Sequence, residues 1–471
     1  MFPQPLWSFW AVPTLAAGVY WISQAAVLPW GGALPVALVG FALVASGGGQ
    51  LFAPGERRLT QLGALAGLVG LVFSLPCLFI AGVSTAVALA ITAVGGAWGA
   101  GRSALHAEPH TAGVPTPEAT AGLAARVAAD EMILGLEYLT GASGFALDGT
   151  LERAAREVEE MAAFCEAEGF ARAPATYHVA PPALSDPEIR RRVVAGRSIE
   201  VLRFESGYAP RESEPGRERW LGYDACRDAW AYVLRHEGEP RPWLIATNGY
   251  RMGHAGIDVR VFERFFRADE GLGLNVLIPV LPLHGPRRTG LHSGEGFIGL
   301  DVIDTLHAET QALWDMRRLL SWVRDQEAPR VGAFGLSLGG LTTANFASLA
   351  EGLSAVVPGI PLVDLRRVIE RHAASHQARY ARALGYDFDR VSEVLRVISP
   401  LALAPRVPIE GRLLFAATAD RLVPPEQAVD LWRHWEQPEL VWYQGGHVSF
   451  SLEREVWQAV DRKLHERLMP A

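Results

Sequence analysis

One serine of this chain stands in a pattern typical of an enzymatic nucleophile. The segment "VGAFGLSLGGLTTANFA", residues 331–347, runs from an apolar, β-rich stretch through Ser337 into a helix-compatible stretch. This strand–turn–helix context is what the G-x-S-x-G motif requires, and Gly335 and Gly339 would permit the tight turn. Backbone N–H groups at the start of the helix would favour the negative charge that develops in acyl transfer. The alternative is a glycine turn capped by a serine, because short motifs recur by chance.

A serine hydroxyl is a weak nucleophile, so the sequence should also supply a base and a carboxylate that orients it. Asp420 follows the apolar stretch "LLFAATA", and His447 lies in a glycine turn after "LVWYQ". The order Ser337, Asp420, His447 is the order of a nucleophile-elbow hydrolase triad. Asp364, after "VVPGIPLV", is an alternative acid, but Asp420 is favoured because it follows the penultimate predicted strand.

The elements that would position these residues alternate between short β-rich segments and helices from about residue 196 onward. Two antiparallel-looking strands open the region, and alternating strands and helices follow, which predicts a mostly parallel sheet covered on both faces. Such sheets build their sites at the carboxyl ends of the strands. The predicted strands are "SIEVLRF", "AWAYVLRH", "PWLIATNGY", "LNVLIPVLPL", "RVGAFGL", "LSAVVPGI", "RLLFAATAD" and "ELVWYQGG", and the main helices are 256–269, 302–325, 339–350, 425–436 and 453–468.

The first hundred residues have a different character. Their only charged side chains are Glu56, Arg57 and Arg58. Four apolar stretches, about 7–28, 33–53, 61–80 and 81–100, are each near the roughly 20 residues that span a bilayer. A soluble helical bundle would need a polar outer face, which this region lacks. Residues 1–100 are therefore predicted to form a transmembrane helical domain with four spans, which places the charged loop and everything after Arg102 in the cytoplasm. With three spans, the soluble part would face outward.

Residues 101–117 have the Pro, Gly and small-residue composition of a linker. Two amphipathic helices, about 118–140 and 148–169, are predicted in the region 118–195, packed on the following domain or bridging it to the membrane. A formal net charge of -8 and the lack of a basic stripe argue against a nucleic-acid partner. The three cysteines have neither disulfide-framework nor metal-site spacing.

From residue 196 to the carboxyl terminus the sequence resembles the α/β-hydrolase superfamily, through "GLSLGG", "TADRLVPP" and "GGHVSF" in that order. The stretches "NGYRMGHAGIDVRVFERFF" and "LPLHGPRRTG" are also similar, more loosely, to the α/β-hydrolase domain-containing protein 18 type. The resemblance implies a sheet of about eight mostly parallel strands. It also implies that Ser337 is the nucleophile, Asp420 the triad acid and His447 the base. The oxyanion-hole donors would be the backbone N–H groups of Leu338 and Tyr250, although the latter's loop begins Asn-Gly where many relatives have His-Gly.

Three residues of "LPLHGPRR" are candidates for substrate binding. His284 would line the site, or pack and hydrogen-bond locally. Arg287 and Arg288 would bind an anionic group such as a phosphate, or remain solvated loop residues. Residues 364–398, rich in Arg and helix formers, would form a cap insertion that shapes substrate choice.

These observations predict an integral-membrane serine hydrolase with a cytoplasmic catalytic domain, acting on an acyl ester such as a membrane lipid or phospholipid. The mechanism requires no metal or organic cofactor. One alternative is a membrane protein whose hydrolase-like domain only binds, because a fold does not guarantee chemistry. Acyl transfer or peptide hydrolysis by the same triad is another.

Overall fold

The computed structural model describes residues 8–54, 56–109, 111–140, 148–269, 271–373 and 375–469. The chain divides into two compact units. The first, here called the helical unit, comprises Met1–Gly141, Ala417–Glu426 and Trp442–Glu453. The second, the sheet unit, comprises Ala142–Ala416, Gln427–Val441 and Arg454–Ala471. This division differs from the sequence-based one, which assigned all of 196–471 to a single domain.

Five helices make up most of the helical unit, and three of them are long and apolar enough to cross a membrane: α2, α3 and α4. The first apolar stretch instead gives a 14-residue helix, α1, after a short 3-10 turn. Residue 7, at which the predicted span begins, and residues 1–6 before it lie outside the described part of the chain. The five helices are α1 (Val12–Ala25), α2 (Trp30–Phe52), α3 (Arg57–Ile80), α4 (Val83–Ala107) and α5 (Ala121–Leu139).

Large apolar side chains such as Leu34, Phe41 and Leu75 are exposed on the outer faces of these helices. Inside the bundle, small residues allow close contact: a Cβ added at Gly67 of α3 would lie 2.7 Å from the carbonyl oxygen of Ala93 in α4. An apolar exterior with small residues between helices is the pattern expected of membrane-embedded helices.

The sheet contains nine strands in the order β1-β2-β3-β5-β4-β6-β7-β8-β9. Strands β1, β2, β3 and β5 pair antiparallel in that order, whereas β5-β4, β4-β6, β6-β7 and β7-β8 pair in parallel. All eight predicted strands are present, and the prediction of a mostly parallel sheet flanked by helices is confirmed. The strands are β1 (Glu188–Val194), β2 (Arg197–Glu205), β3 (Asp228–Leu234), β4 (Trp243–Thr247), β5 (Asn275–Val280), β6 (Val331–Leu336), β7 (Leu353–Gly359), β8 (Leu413–Ala417) and β9 (Glu439–Tyr443).

The remaining helices belong to the sheet unit. They cover a core of fully buried side chains such as Trp243, Phe334 and Phe415. The predicted cap insertion, 364–398, folds as three short helices, α12 to α14, and a 3-10 turn. The helices are α6 (Asp148–Ala167), α7 (Arg217–Leu221), α8 (Asp224–Arg227), α9 (Ala255–Phe266), α10 (Val302–Asp325), α11 (Leu338–Leu349), α12 (Leu365–His372), α13 (Ser375–Ala383), α14 (Phe388–Leu395), α15 (Glu426–His434) and α16 (Arg454–Leu468).

Candidate active site

Ser337 occupies a strained turn between β6 and α11. Its backbone angles are φ 58° and ψ −113°, a conformation that non-glycine residues rarely adopt and that concentrates at functional sites. The turn is held from both sides: the Ser337 N–H donates to the carbonyl of Gly359 at 3.0 Å, and its own carbonyl accepts from the N–H of Leu362 at 3.1 Å. A serine in this backbone conformation between a strand and a helix has the geometry that the sequence motif predicts.

Close contacts with backbone atoms leave no room for a side chain at either glycine of the motif. A Cβ at Gly335 would lie 2.0 Å from the carbonyl oxygen of Gly339, which closes the turn. A Cβ at Gly339 would lie 2.4 Å from the carbonyl oxygens of both Thr247, the last residue of β4, and Asn248, the first residue of the loop that follows. Side chains at either position would therefore push the elbow apart or separate it from that loop.

The loop after β4 lies against the serine, as the oxyanion-hole prediction requires: a Cβ at Gly249 would be 3.7 Å from that of Ser337. Asp258 of α9 holds this loop, accepting from Asn248 Nδ2 at 2.8 Å and from the Gly253 N–H at 3.1 Å. Burial raises the pKa of Asp258 to about 6, against the opposing effect of these two hydrogen bonds. Tyr250 follows Gly249 and places its ring 6.2 Å from that of His284.

Leu338, the other predicted donor, is the first residue of α11, so its N–H has no acceptor within the helix. Buried Glu309 of α10 fixes α11, accepting from Thr342 Oγ1 at 2.8 Å and from Asn345 Nδ2 at 3.0 Å. Burial raises the pKa of Glu309 to about 7, and the two hydrogen bonds oppose this rise. Neither Asp258 nor Glu309 was singled out from the sequence, because carboxylates on amphipathic helices usually face solvent.

The predicted acid and base form a buried pair in the helical unit. His447 Nδ1 and Asp420 Oδ2 are 2.6 Å apart. The other oxygen of Asp420 accepts from the N–H groups of Leu422 and Val423 at 2.9 and 2.8 Å, which fixes the carboxylate. A carboxylate on Nδ1 keeps the proton of a neutral imidazole there and leaves Nε2 as the basic nitrogen.

Burial disfavours the charged imidazole of His447, but neighbouring acids outweigh it. The negative charge of Asp420, its hydrogen bond to the ring and the charge of Asp130 together raise the pKa of His447. The two carboxylates thereby stabilise the charged form of the imidazole. Ser337 belongs to the sheet unit, and the Asp420–His447 pair to the helical unit.

Asp364, the alternative acid, has a local role. Its carboxylate accepts from the Arg367 N–H at 3.0 Å and so caps α12, and it also pairs with the Arg367 guanidinium at 2.9 Å. A capping aspartate stabilises a helix start without catalysis.

The three substrate-binding candidates have different positions. His284 is fully buried, with Nδ1 2.9 Å from the carbonyl of Pro282, and burial lowers its pKa to about 4. Arg287, predicted as a loop arginine, is also fully buried: it pairs with Asp315 at 3.0 Å and donates to the carbonyls of Val280 and Cys226. Its guanidinium therefore faces the interior of the sheet unit, where these partners bind it. Arg288 is exposed and donates to the carbonyl of Gly285.

No family model matches the chain. Two proteins of Mycobacterium tuberculosis, from two strains and both described as uncharacterized, are 41% identical to it over 356 residues, which cover 75% of this chain and 84% of each relative. Among solved structures, an acetyl xylan esterase from Paenibacillus is 17% identical with a TM-score of 0.44, covering 64% of this chain and 94% of its own. An acetyl xylan esterase from Thermoanaerobacterium is 16% identical with a TM-score of 0.41, covering 70% and 98%.

In the sheet of the described residues, β5 and β4 stand in reverse chain order, and β4 lies beside β6, the strand that leads to Ser337. A strained Ser337 follows that strand, and an acid and a histidine follow the last two. The identity to the mycobacterial proteins extends over most of both chains. The described residues therefore have the α/β-hydrolase fold, and the chain belongs to the family of these two mycobacterial proteins.

Proposed function

We propose that the protein is a serine hydrolase that cleaves an acyl ester through Ser337, His447 and Asp420. The observation that carries the proposal is the strained elbow of Ser337, since backbone strain at a polar residue is maintained where it serves function. The buried pair of Asp420 and His447, 2.6 Å apart, supplies the base and its orienting acid.

In the proposed reaction, His447 Nε2 takes the hydroxyl proton of Ser337 while Oγ attacks the ester carbonyl carbon. The N–H of Leu338 and a donor in the loop containing Tyr250 stabilise the resulting oxyanion. The tetrahedral intermediate then collapses, and the alcohol leaves with the proton from His447. Water, deprotonated by the same imidazole, attacks the acyl-enzyme and releases the carboxylic acid. Asp420 holds the ring and stabilises its charged form throughout.

The proposed substrate class is a lipid ester, because helices that could cross a bilayer are part of the same chain. The burial of Arg287 weakens the argument for a phospholipid substrate. Of the two arginines predicted to bind an anionic headgroup, only Arg288 is exposed. An uncharged or weakly anionic lipid ester is thus the better-supported substrate.

A fluorophosphonate probe tests the proposal on the detergent-solubilised full chain. Because the probe reacts only with an activated serine, we expect one adduct, located by mass spectrometry on the peptide containing Ser337. The adduct should be missing from Ser337→Ala and from heat-denatured wild type. A folded wild-type protein that takes up no probe would overturn the proposal and favour a binding role for the hydrolase fold.

We also propose that the catalytic residues face the cytoplasm. Arg57, at the start of α3, pairs with Glu108, at the end of α4, at 3.5 Å. The loop before α3 and the chain after α4 therefore lie at the same end of this helix pair, whether or not α1 spans the membrane. Placing Arg57 and Arg58 inside by the positive-inside tendency places residue 108 onward inside too.

A protease-protection experiment checks this orientation in a bacterial host. An epitope tag at the carboxyl terminus should survive proteinase K in intact spheroplasts and disappear once they are lysed. The protein should also remain in the membrane pellet after an alkaline carbonate wash. Loss of the tag from intact spheroplasts would contradict the orientation, and release by carbonate would contradict membrane insertion.

A further inference from the structure

Asp130 of α5 is a fully buried carboxylate that contacts both segments carrying the acid–base pair. Its Oδ2 accepts from the backbone N–H of His447 at 2.7 Å and from that of Arg421 at 3.1 Å. Its Oδ1 accepts from the N–H of Val448 at 3.3 Å. One side chain thus binds the backbone of the base itself, of the residue after the base and of the residue after the acid.

The surrounding structure holds Asp130 in place. The adjacent Glu131, also fully buried, accepts from Arg421 Nε at 2.6 Å and from Thr60 Oγ1 of α3 at 2.7 Å. Val127 of α5 packs with Ala419, next to the catalytic acid, in a small apolar cluster. A Cβ at Gly446 would lie 2.7 Å from Asp130 Oδ2, so only glycine before His447 permits this approach.

A negative charge on Asp130 lowers the stability of the fold, because the carboxylate is buried beside a second acid. Its presence at this position therefore suggests a functional role. Burial raises the pKa of Asp130 to about 7 and the negative charge of Asp420 adds to this, while His447 and the two backbone N–H donors at His447 and Arg421 oppose it. A neutral acceptor could satisfy backbone N–H groups without placing a second carboxylate beside Asp420.

We propose that Asp130 is a positioning residue for the catalytic base: through its hydrogen bonds to the backbone of His447 and Arg421, it fixes the imidazole and the acid in one geometry. The role rests on the proposed hydrolase function. It makes α5, a helix of the N-terminal region, part of the proposed catalytic machinery. Asp130 acts through His447 and does not itself touch substrate.

The pair is surrounded by several other ionisable groups, and these set the background for any pH measurement. Asp130 and His447 each influence the charge of the other, so an observed pKa belongs to these two groups together. Among the described residues, other ionisable side chains nearby include Arg126 and Glu131 on α5, Arg421 with its partner Glu108, and Tyr443 and Glu453 on either side of His447.

The test is the rate of fluorophosphonate labelling as a function of pH in the full-length chain, for wild type, Asp130→Asn and Glu131→Gln. Labelling requires a neutral His447, so its rate rises with pH through the histidine pKa. A negative Asp130 raises that pKa, so Asp130→Asn should move the rising limb to lower pH by about 0.5 to 1 unit. Asparagine has only one acceptor oxygen and cannot replace both carboxylate oxygens, so the Val448 N–H would face its amide NH₂. The resulting displacement of the imidazole should also slow labelling on the plateau by about 10- to 100-fold.

Glu131→Gln is the matched control, since it neutralises an equally buried acid on the same helix, while glutamine can still accept from Arg421 Nε and Thr60 Oγ1. This variant should have a lower melting temperature, but the rising limb of its labelling rate should lie at the same pH as in wild type. If Asp130→Asn does not fold, Asp130→Ser, smaller and also neutral, provides the same comparison. If a folded variant with a neutral residue at position 130 keeps the wild-type pH profile and plateau rate, the positioning role alone is overturned. If wild type itself is not labelled, both the hydrolase function and the positioning role are overturned.

Discussion

Replacing Asp420 with asparagine should lower kcat for a chromogenic short-chain ester by about 10⁴-fold. The substituted side chain can still offer one oxygen to the N–H groups of Leu422 and Val423, which Asp420 Oδ1 accepts at 2.9 and 2.8 Å. Its amide NH₂ would then face His447 Nδ1, where a carboxylate oxygen now lies at 2.6 Å. Nδ1 must become the acceptor, which moves the proton to Nε2 and leaves no basic nitrogen for the serine.

Asp364→Asn is the matched control for this prediction. Asparagine caps a helix as well as aspartate does, so α12 should retain its start and the enzyme its stability and kcat. Steady-state hydrolysis in detergent, with circular dichroism to verify folding, distinguishes the two positions. A wild-type rate in Asp420→Asn, or a large loss in Asp364→Asn, would transfer the acid role from Asp420 to Asp364.

The sheet and its elbow could be predicted because their patterns are local. Eight strands are short apolar runs bounded by turn residues, and the proposed nucleophile lies in a five-residue motif. Strand β1 was missed because "EIRRRVV" contains four charged residues and its side chains are exposed or only partly buried, so no apolar pattern marks it. Its identity as a strand comes from pairing with β2.

The burial of Arg287 could not be predicted from its loop. The adjacent Arg287 and Arg288 are indistinguishable in the sequence, yet one is fully buried and the other exposed. The difference is made by Asp315 on α10, which pairs with Arg287 at 3.0 Å. A tertiary partner of this kind leaves no trace in the spacing of the loop itself.

Asp130 was missed for a related reason. It was included in the amphipathic helix predicted over 118–140, where an acidic residue ordinarily belongs to the solvent face. Its partners are backbone N–H groups of Arg421, His447 and Val448, about three hundred residues away, and backbone groups have no side-chain signature. The available signal was the pair Asp130-Glu131 within the otherwise apolar "VAADEMIL".

Replacing Gly339 with alanine should slow fluorophosphonate labelling by about 100-fold or more. The added methyl would lie 2.4 Å from the carbonyl oxygens of Thr247 and Asn248, and backbone atoms cannot rotate away as a side chain would. The elbow and the loop after β4 would have to separate. Because Leu338 lies on the first and Tyr250 on the second, the two proposed oxyanion donors would move apart and no longer bind one oxygen together.

Gly256→Ala separates this local effect from a general intolerance of larger side chains. Gly256 lies in α9, beside the loop-holding Asp258, but a Cβ there would meet no atom within 4 Å. Alanine favours the helix over glycine by up to about 1 kcal/mol, so this variant should fold at least as well as wild type and label at its rate. Equal labelling by Gly339→Ala and wild type would mean that the elbow and the β4 loop do not cooperate in binding the oxyanion. Slow labelling by Gly339→Ala with a wild-type rate in Gly256→Ala would instead tie the reactivity of Ser337 to the close backbone contact that the glycine permits.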